Sequence, residues 1–413
     1  MWVCPITAPA TAVIFVMMNR TMQIQRIHGI FQLFQWDSST RILAAISLLF
    51  TVGTMLSCQQ TLNDHHDHTA KNSATTVAST VPTVNAANQA GYVQSEFVFE
   101  TAPFPSCHAA TIVEVQHGLV AAWFGGTRER APDVGIWVSR QVDGKWSDLV
   151  EVATGVQKDG TRLPCWNPVL FEPSKGPLIL FYKVGPTPRD WWGMMSISID
   201  GGKTWSQGTR LPDGFIGPVK NKPVELADGT IICPSSTEAL GRTPAWIPHF
   251  EITKDFGANW TKVGIAPNKP DQIINGIQPS ILVHTDGMLQ AIGRTKEARV
   301  FESFSKDNGQ TWTPLHLTDL PNPNSGTDAV TLHDGRHLLV YNHNPLPKGR
   351  SPLNVAMSKD GKTWQPVFVL ESDPGEYSYP AVIQDSDDKI HIIYTWHRSR
   401  IKHVVLDPVK LGR

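Results

Sequence analysis

Cysteine, charge of one sign and long apolar runs are all scarce in this chain. Of 5 cysteines in 413 residues, the three beyond the N-terminal quarter are Cys107, Cys165 and Cys233. An odd number argues against a disulfide framework even in an oxidising compartment. No His and Asp pattern accompanies any of them, so buried strand cysteine is a plainer reading than a nucleophile. Lys and Arg number 36 against 37 Asp and Glu, without a basic block, which excludes the usual footprint of a nucleic-acid partner. The apolar run after Arg41, ILAAISLLFTVGTMLSC, is short of the roughly 20 residues that span a bilayer.

What the chain has instead is repetition. SISIDGGKTW at 196–205 returns as EITKDFGANW at 251–260, SFSKDNGQTW at 303–312 and MSKDGKTW at 357–364, with a weaker copy, SRQVDGKW, at 139–146. Their aspartates, Asp143, Asp200, Asp255, Asp307 and Asp360, are spaced by 57, 55, 52 and 53 residues. That period suits a four-stranded propeller blade better than a helical repeat. Asp and Ser side chains bond nearby backbone, Gly supplies a positive φ, and Trp opens the next strand, so each copy reads as a scaffold turn. Each offers too few carboxylates to hold calcium.

Dividing residues 96–413 by this period gives six blades, and the fold class is all-β, a six-bladed β-propeller with Asp-box turns. Short apolar and β-branched runs such as ATIVEV, PLILFY and KIHIIYTW alternate with turn residues, as blade strands require. The 14 tryptophans serve blade packing and also permit sugar-stacking faces.

Residues 1–58 form a long lead and a lipoprotein-type signal peptide, with Cys58 of MLSC as the lipidated first residue of the mature protein. Met22 offers an alternative start. Residues 59–95, rich in Thr, Ser, Ala and Asn, form a disordered tether whose HHDH cluster has no built site around it. The expected location is beyond the inner membrane, as an outer-membrane lipoprotein or in the periplasm, with membrane contact only through the lipid.

Several loop motifs then become informative: FPSCHAATIVEV, FGGTRE to APDVGIW, LPNPNSGTD and YSYPAVIQ. Together with the boxes they resemble the sialidase superfamily, and within it the sialidase-like branch of BNR, or Asp-box, repeat proteins, over about residues 97–408. That resemblance implies an exo-acting glycosidase in which arginines grip a substrate carboxylate, a Tyr activated by a Glu is the nucleophile, and a loop Asp is acid and base. Carried over by motif, Tyr379 is the nucleophile, with Tyr377 second to it. Asp133, five residues after Arg128, is the acid and base, and Arg294 and Arg350 are two of the carboxylate arginines. Two positions depart from the pattern: His108 stands where the first arginine is expected, and Gln278 where the Glu is.

The resulting expectation is removal of a terminal acidic or deoxy sugar from a glycan, without metal or other cofactor, by a monomer. Catalysis falls to Tyr379, Asp133 and His108, and substrate binding to Arg294, Arg350, Arg128 and Gln278. Lys222, Trp166, Asn167 and Asp328 are taken as loop residues facing sugar hydroxyls. Two alternatives stay open: a uronate-cleaving polysaccharide lyase using His108 and Tyr379, and a non-catalytic glycan-binding propeller.

Overall fold

The computed structural model describes residues 84–412, apart from Arg242 and Ala258. The signal peptide, Cys58 and most of the tether lie outside these residues. The described part is six antiparallel sheets in sequence around a ring, a six-bladed propeller. In chain order the blades begin with Ser106–Val115, Cys165–Phe171, Val224–Glu225, Gly276–Val283, Asp328–Thr331 and Tyr377–Gln384. These first strands lie innermost, and most touch the first strand of the next blade.

Side chains stitch the inner ring. Thr111 Oγ1 accepts from Leu170 N at 3.1 Å between blades one and two. Thr331 Oγ1 does so for Val283 N at 3.1 Å between blades four and five, and Asp328 Oδ2 for Val382 N at 2.9 Å between five and six. A strand buried on both faces is apolar unless its polar groups are partnered, and Leu178–Val184 is buried throughout, its one charged residue, Lys183, bonding Asn167 O and Pro218 O. An apolar cluster fills each of the six seams between blades, for instance Val120 and Ile136 on Leu170 and Leu180, and Ile112 and Ala121 on Ile393 and Ile401. Cys107, Cys165 and Cys233 belong to these seams as free thiols, and burial pushes Cys107 and Cys165 up to about 12.

Four of the five repeats are built as expected. In the first full copy Ser198 Oγ bonds Asp200 at 2.8 Å, and Asp200 accepts from Lys203 N, Thr204 N and Thr204 Oγ1 at 3.0, 2.9 and 2.6 Å. Gly202 at φ 81° would carry a Cβ against Val120 of the neighbouring blade, which is why glycine holds that corner. Trp312 stacks on Phe250 of the preceding blade with centroids 3.9 Å apart, joining the local turn to a seam. The weak copy is different: Asp143 and Gly144, both at positive φ, make a plain two-residue hairpin between Val142 and Lys145.

The tether boundary needs correcting. Residues expected to be disordered up to 95 include a short 3-10 turn, Ala86–Asn88, and the start of a strand, Tyr92–Phe97. This strand pairs antiparallel with Arg400–Leu406 as the outer strand of blade six. Its partner lies some 300 residues away, where no local pattern points to it.

Candidate active site

Antiparallel blades place alternate loops at opposite ends of the ring. The Asp boxes and first-to-second-strand turns share one end; the second-to-third-strand loops and interblade links share the other. At that second end four inner strands repeat one device. Register slips between His108 and Thr111, Trp166 and Val169, Ile277 and Ser280, and Ser378 and Ala381. Within each slip one residue takes positive φ: Ala109 at 57°, Asn167 at 30°, Gln278 at 56° and Tyr379 at 53°. A bulge of this kind re-aims a side chain, and at a non-glycine residue it stores strain of order 1–3 kcal/mol.

Tyr379 stands at the centre of the constellation. Its ring lies 4.1 Å from the His108 ring, centroid to centroid, with Arg294 Cζ at 5.3 Å, Arg350 Cζ at 5.6 Å and Lys220 Nζ at 5.6 Å from its own centroid. Gly326 packs on both Lys220 and Tyr379, where a Cβ would come within 2.8 Å of Lys220 and 3.2 Å of Tyr379. His108 is buried, with Nδ1 3.0 Å from Thr395 Oγ1. Burial, together with the charges of Arg398, Arg350, Arg294 and Lys220, holds its imidazole well below its ordinary range and therefore neutral.

Three groups that the sequence reading did not single out complete the surroundings. Arg398, on the turn after Ile390–Trp396, bonds Glu376 at 2.5 Å and Glu129 at 2.6 Å. Glu376 also bonds Arg350 at 3.2 Å, and burial, which would raise this carboxyl, is outweighed by the two arginines, leaving it below the usual range. Lys220 donates to Asn221 Oδ1, Thr327 O and Pro380 O at 2.7, 3.0 and 2.7 Å, pinning the links of blades three and five to the Tyr379 bulge. Burial draws its ammonium down to about 7, with the charges of Lys222 and Arg294 adding to the effect and Asp328 opposing it. A positional signal for Arg398 exists: Arg294 sits near the end of the second strand of blade four, and Arg350 and Arg398 follow the second strands of blades five and six.

The remaining expected residues divide. Arg294 Nη1 bonds Asn324 O at 3.2 Å, while Arg294 Nε, Gln278 Oε1 and Asn324 Oδ1 are buried polar atoms without a partner. Asp133 and Arg128 are exposed on the loop after Gly118–Gly126. The Thr127 hydroxyl and N–H bond the Asp133 carboxylate at 2.6 and 2.8 Å and hold it below the usual range. Glu129 of the same loop reaches Arg398, so this loop is tied to blade six.

Trp166, Asn167 and Asp328 lie in inner strands, not in loops; only Lys222 is in a loop. Trp166 gives its indole N–H to Gly185 O at 2.7 Å. Asp328 accepts from Lys222, Ser280, Ala329 N and Val382 N, which occupies its oxygens within the ring. A cavity of about 780 Å³ lies at the opposite end, beside Asp200 and Glu172, and holds none of these groups.

Residues 117–392 match the family model described as a BNR repeat-like domain. Solved structures share the fold. One is a protein of unknown function from Dyadobacter fermentans, 18% identical with TM-score 0.63, the alignment covering 78% of this chain and 99% of that one. Another is the intramolecular trans-sialidase from Ruminococcus gnavus in complex with oseltamivir carboxylate, 13% identical, TM-score 0.60, covering 78% and 99%. A third is the NanB sialidase from Streptococcus pneumoniae, 12% identical, TM-score 0.60, covering 77% and 71%. No curated protein matches.

Proposed function

The chain belongs to the BNR repeat-like domain family, among the sialidase-like propellers, and from that premise we propose that it is an exo-acting glycosidase removing a terminal acidic or deoxy sugar from a glycan. The observation that carries the reading is the cluster of guanidiniums about one tyrosine: Arg294 and Arg350 against the Tyr379 ring, with Arg398 joined to Arg350 through Glu376. Guanidinium forks suit a carboxylate, and a neutral phenol approaches an anionic sugar without repulsion.

In the proposed reaction Tyr379 Oη bonds the anomeric carbon as the glycosidic C–O bond breaks. The phenol proton passes to neutral His108 at Nε2, since Nδ1 faces Thr395, and His108 thereby stands in for the carboxylate that Gln278 cannot supply. Asp133 delivers a proton to the leaving oxygen. Because Thr127 favours the ionised form of Asp133, that role requires the loop to give up those bonds. Water, giving a proton to Asp133, then displaces Tyr379, whose phenolate takes its proton back from His108, with retention of configuration overall. A lyase is the second reading, favoured by the same neutral His108 beside Tyr379, with imidazole taking the proton α to a uronate carboxylate.

Mass spectrometry of products from a panel of acidic glycans separates the two. Gain of water in each cleavage is expected; cleavage without it, with ultraviolet absorbance of an unsaturated uronate, overturns hydrolysis in favour of elimination. Binding with no cleavage leaves a glycan-binding propeller. For location, we propose that Cys58 carries a lipid, so palmitate labelling is expected and should vanish in Cys58→Ala. Label persisting in that variant refutes the anchor.

A further inference from the structure

Beside Tyr379, between the loops of blades four and five, lies a second cavity of about 290 Å³. Lys296, Lys348 and Arg350 line it with Asn324, Pro323 and Pro347, and no carboxylate does. It shares two walls with the first site. Arg350 contributes to both, spending Nη1 on Glu376, and Asn324 turns its backbone oxygen to Arg294. The amide oxygen of Asn324 has no donor among the described residues. Lys296 is held over the Trp246 ring, 4.5 Å from its centroid, and that indole also stacks on Arg294 at 5.3 Å. Neither Lys296 nor Lys348 has an ion-pair partner among the described residues. Arg350 is paired with Glu376, but the exposed Lys296 and Lys348 leave the carboxylate-free rim with net positive charge that an anion balances.

We propose that this cavity is a subsite for the second sugar of the glycan and selects an oxyanion, sulfate or carboxylate, on it. The proposal rests on the reading of Tyr379 as the place where the terminal sugar binds. Lys296 and Lys348 then face the anionic group of the second sugar. The cavity volume is at the lower end for a small-ligand site, which suits one sugar unit rather than an extended chain.

The test is calorimetric titration of the full chain with matched acidic disaccharides. The outer sugar is a uronate in one set and a nonulosonic acid in the other; within each set the inner sugar is plain, sulfated or carboxylated. In the set that binds, the doubly anionic members are expected to bind at least about tenfold more tightly at about 50 mM salt, an advantage that shrinks as salt is raised. Lys296→Met with Lys348→Met is expected to remove that advantage and leave the plain member unchanged, with the melting temperature unaltered. Equal affinity of all members in the unmodified protein overturns the subsite while the Tyr379 reading stands, and so does an advantage that survives the double variant. Arg294→Met is expected to weaken every member, because it acts on the first site. Failure of both sets to bind overturns the subsite and the first site together.

Discussion

The two ends of the propeller solve opposite problems with similar residues. Within the full Asp boxes the Ser, Asp and Thr side chains find one another and the turn backbone within four residues: Asp307 takes Ser305, Thr311 N and Thr311 Oγ1 at 2.8, 2.9 and 2.6 Å. At the Tyr379 end partners come from other blades, as when Arg398 reaches Glu129 across 269 residues, and Gln278, Arg294 and Asn324 keep unpartnered polar atoms. The boxes close their carboxylates and hydroxyls locally and rigidify each blade, while the other end is tied across blades and leaves Gln278, Arg294 and Asn324 with capacity to spare. A scaffold needs satisfaction, and a site needs something left over.

Four measurements sharpen or break that contrast. The largest effect is expected from Tyr379→Phe, which removes the only oxygen at the centre of the cation cluster. Cleavage should fall by several orders of magnitude with the fold intact, and undiminished turnover would show that chemistry lies elsewhere. Trp312→Ala should do the reverse. Opening the Phe250 seam should destabilise the protein by about 3–5 kcal/mol in chemical denaturation while specific activity of the folded fraction holds. Wild-type stability with lost activity would erase the division between the ends.

The smallest effect is read in an acid titration. Asp255 and Asp307 are drawn down to about 2, first of all by the side-chain bonds of Asn259 and Thr311. Depressed carboxylates stabilise the folded chain above the unfolded value near 4, and that stabilisation disappears as pH falls through about 2. The melting temperature should therefore decline between those limits. His108 is depressed too, so its neutral, basic form persists below the ordinary imidazole range, and the acid limb of cleavage should lie below pH ~6.5. A limb at or above that pH would mean that another group is the base.

How much of this was legible in sequence follows from the same contrast. The boxes were readable because Ser198, Asp200, Gly202 and Thr204 act on one another, so their spacing is the mechanism. The count of blades came with them. His108, Gln278 and Tyr379 were reached only through family likeness, since no local rule says that a bulge will aim them inward. Lys220 and Arg398 were missed because their partners, Pro380 and Glu129, are remote in the chain. Placing Trp166 and Asp328 in loops failed because polar side chains such as Asp328 bond between blades, allowing strands to carry them inside the ring.

The outer strand of blade six has a consequence for assembly. Tyr92–Phe97 pairs with Arg400–Leu406, so the earliest of the described strands finds its ladder only when the latest, already paired with Ile390–Trp396, is in place. The pairing closes a loop of some 300 residues, among the least local contacts that a chain of this length can make, and ring closure is accordingly a late and slow event. Until then blade six offers a bare edge that invites pairing with another chain. Removing a few residues from either end of the propeller would leave that edge permanently open, making the whole ring hostage to its two termini.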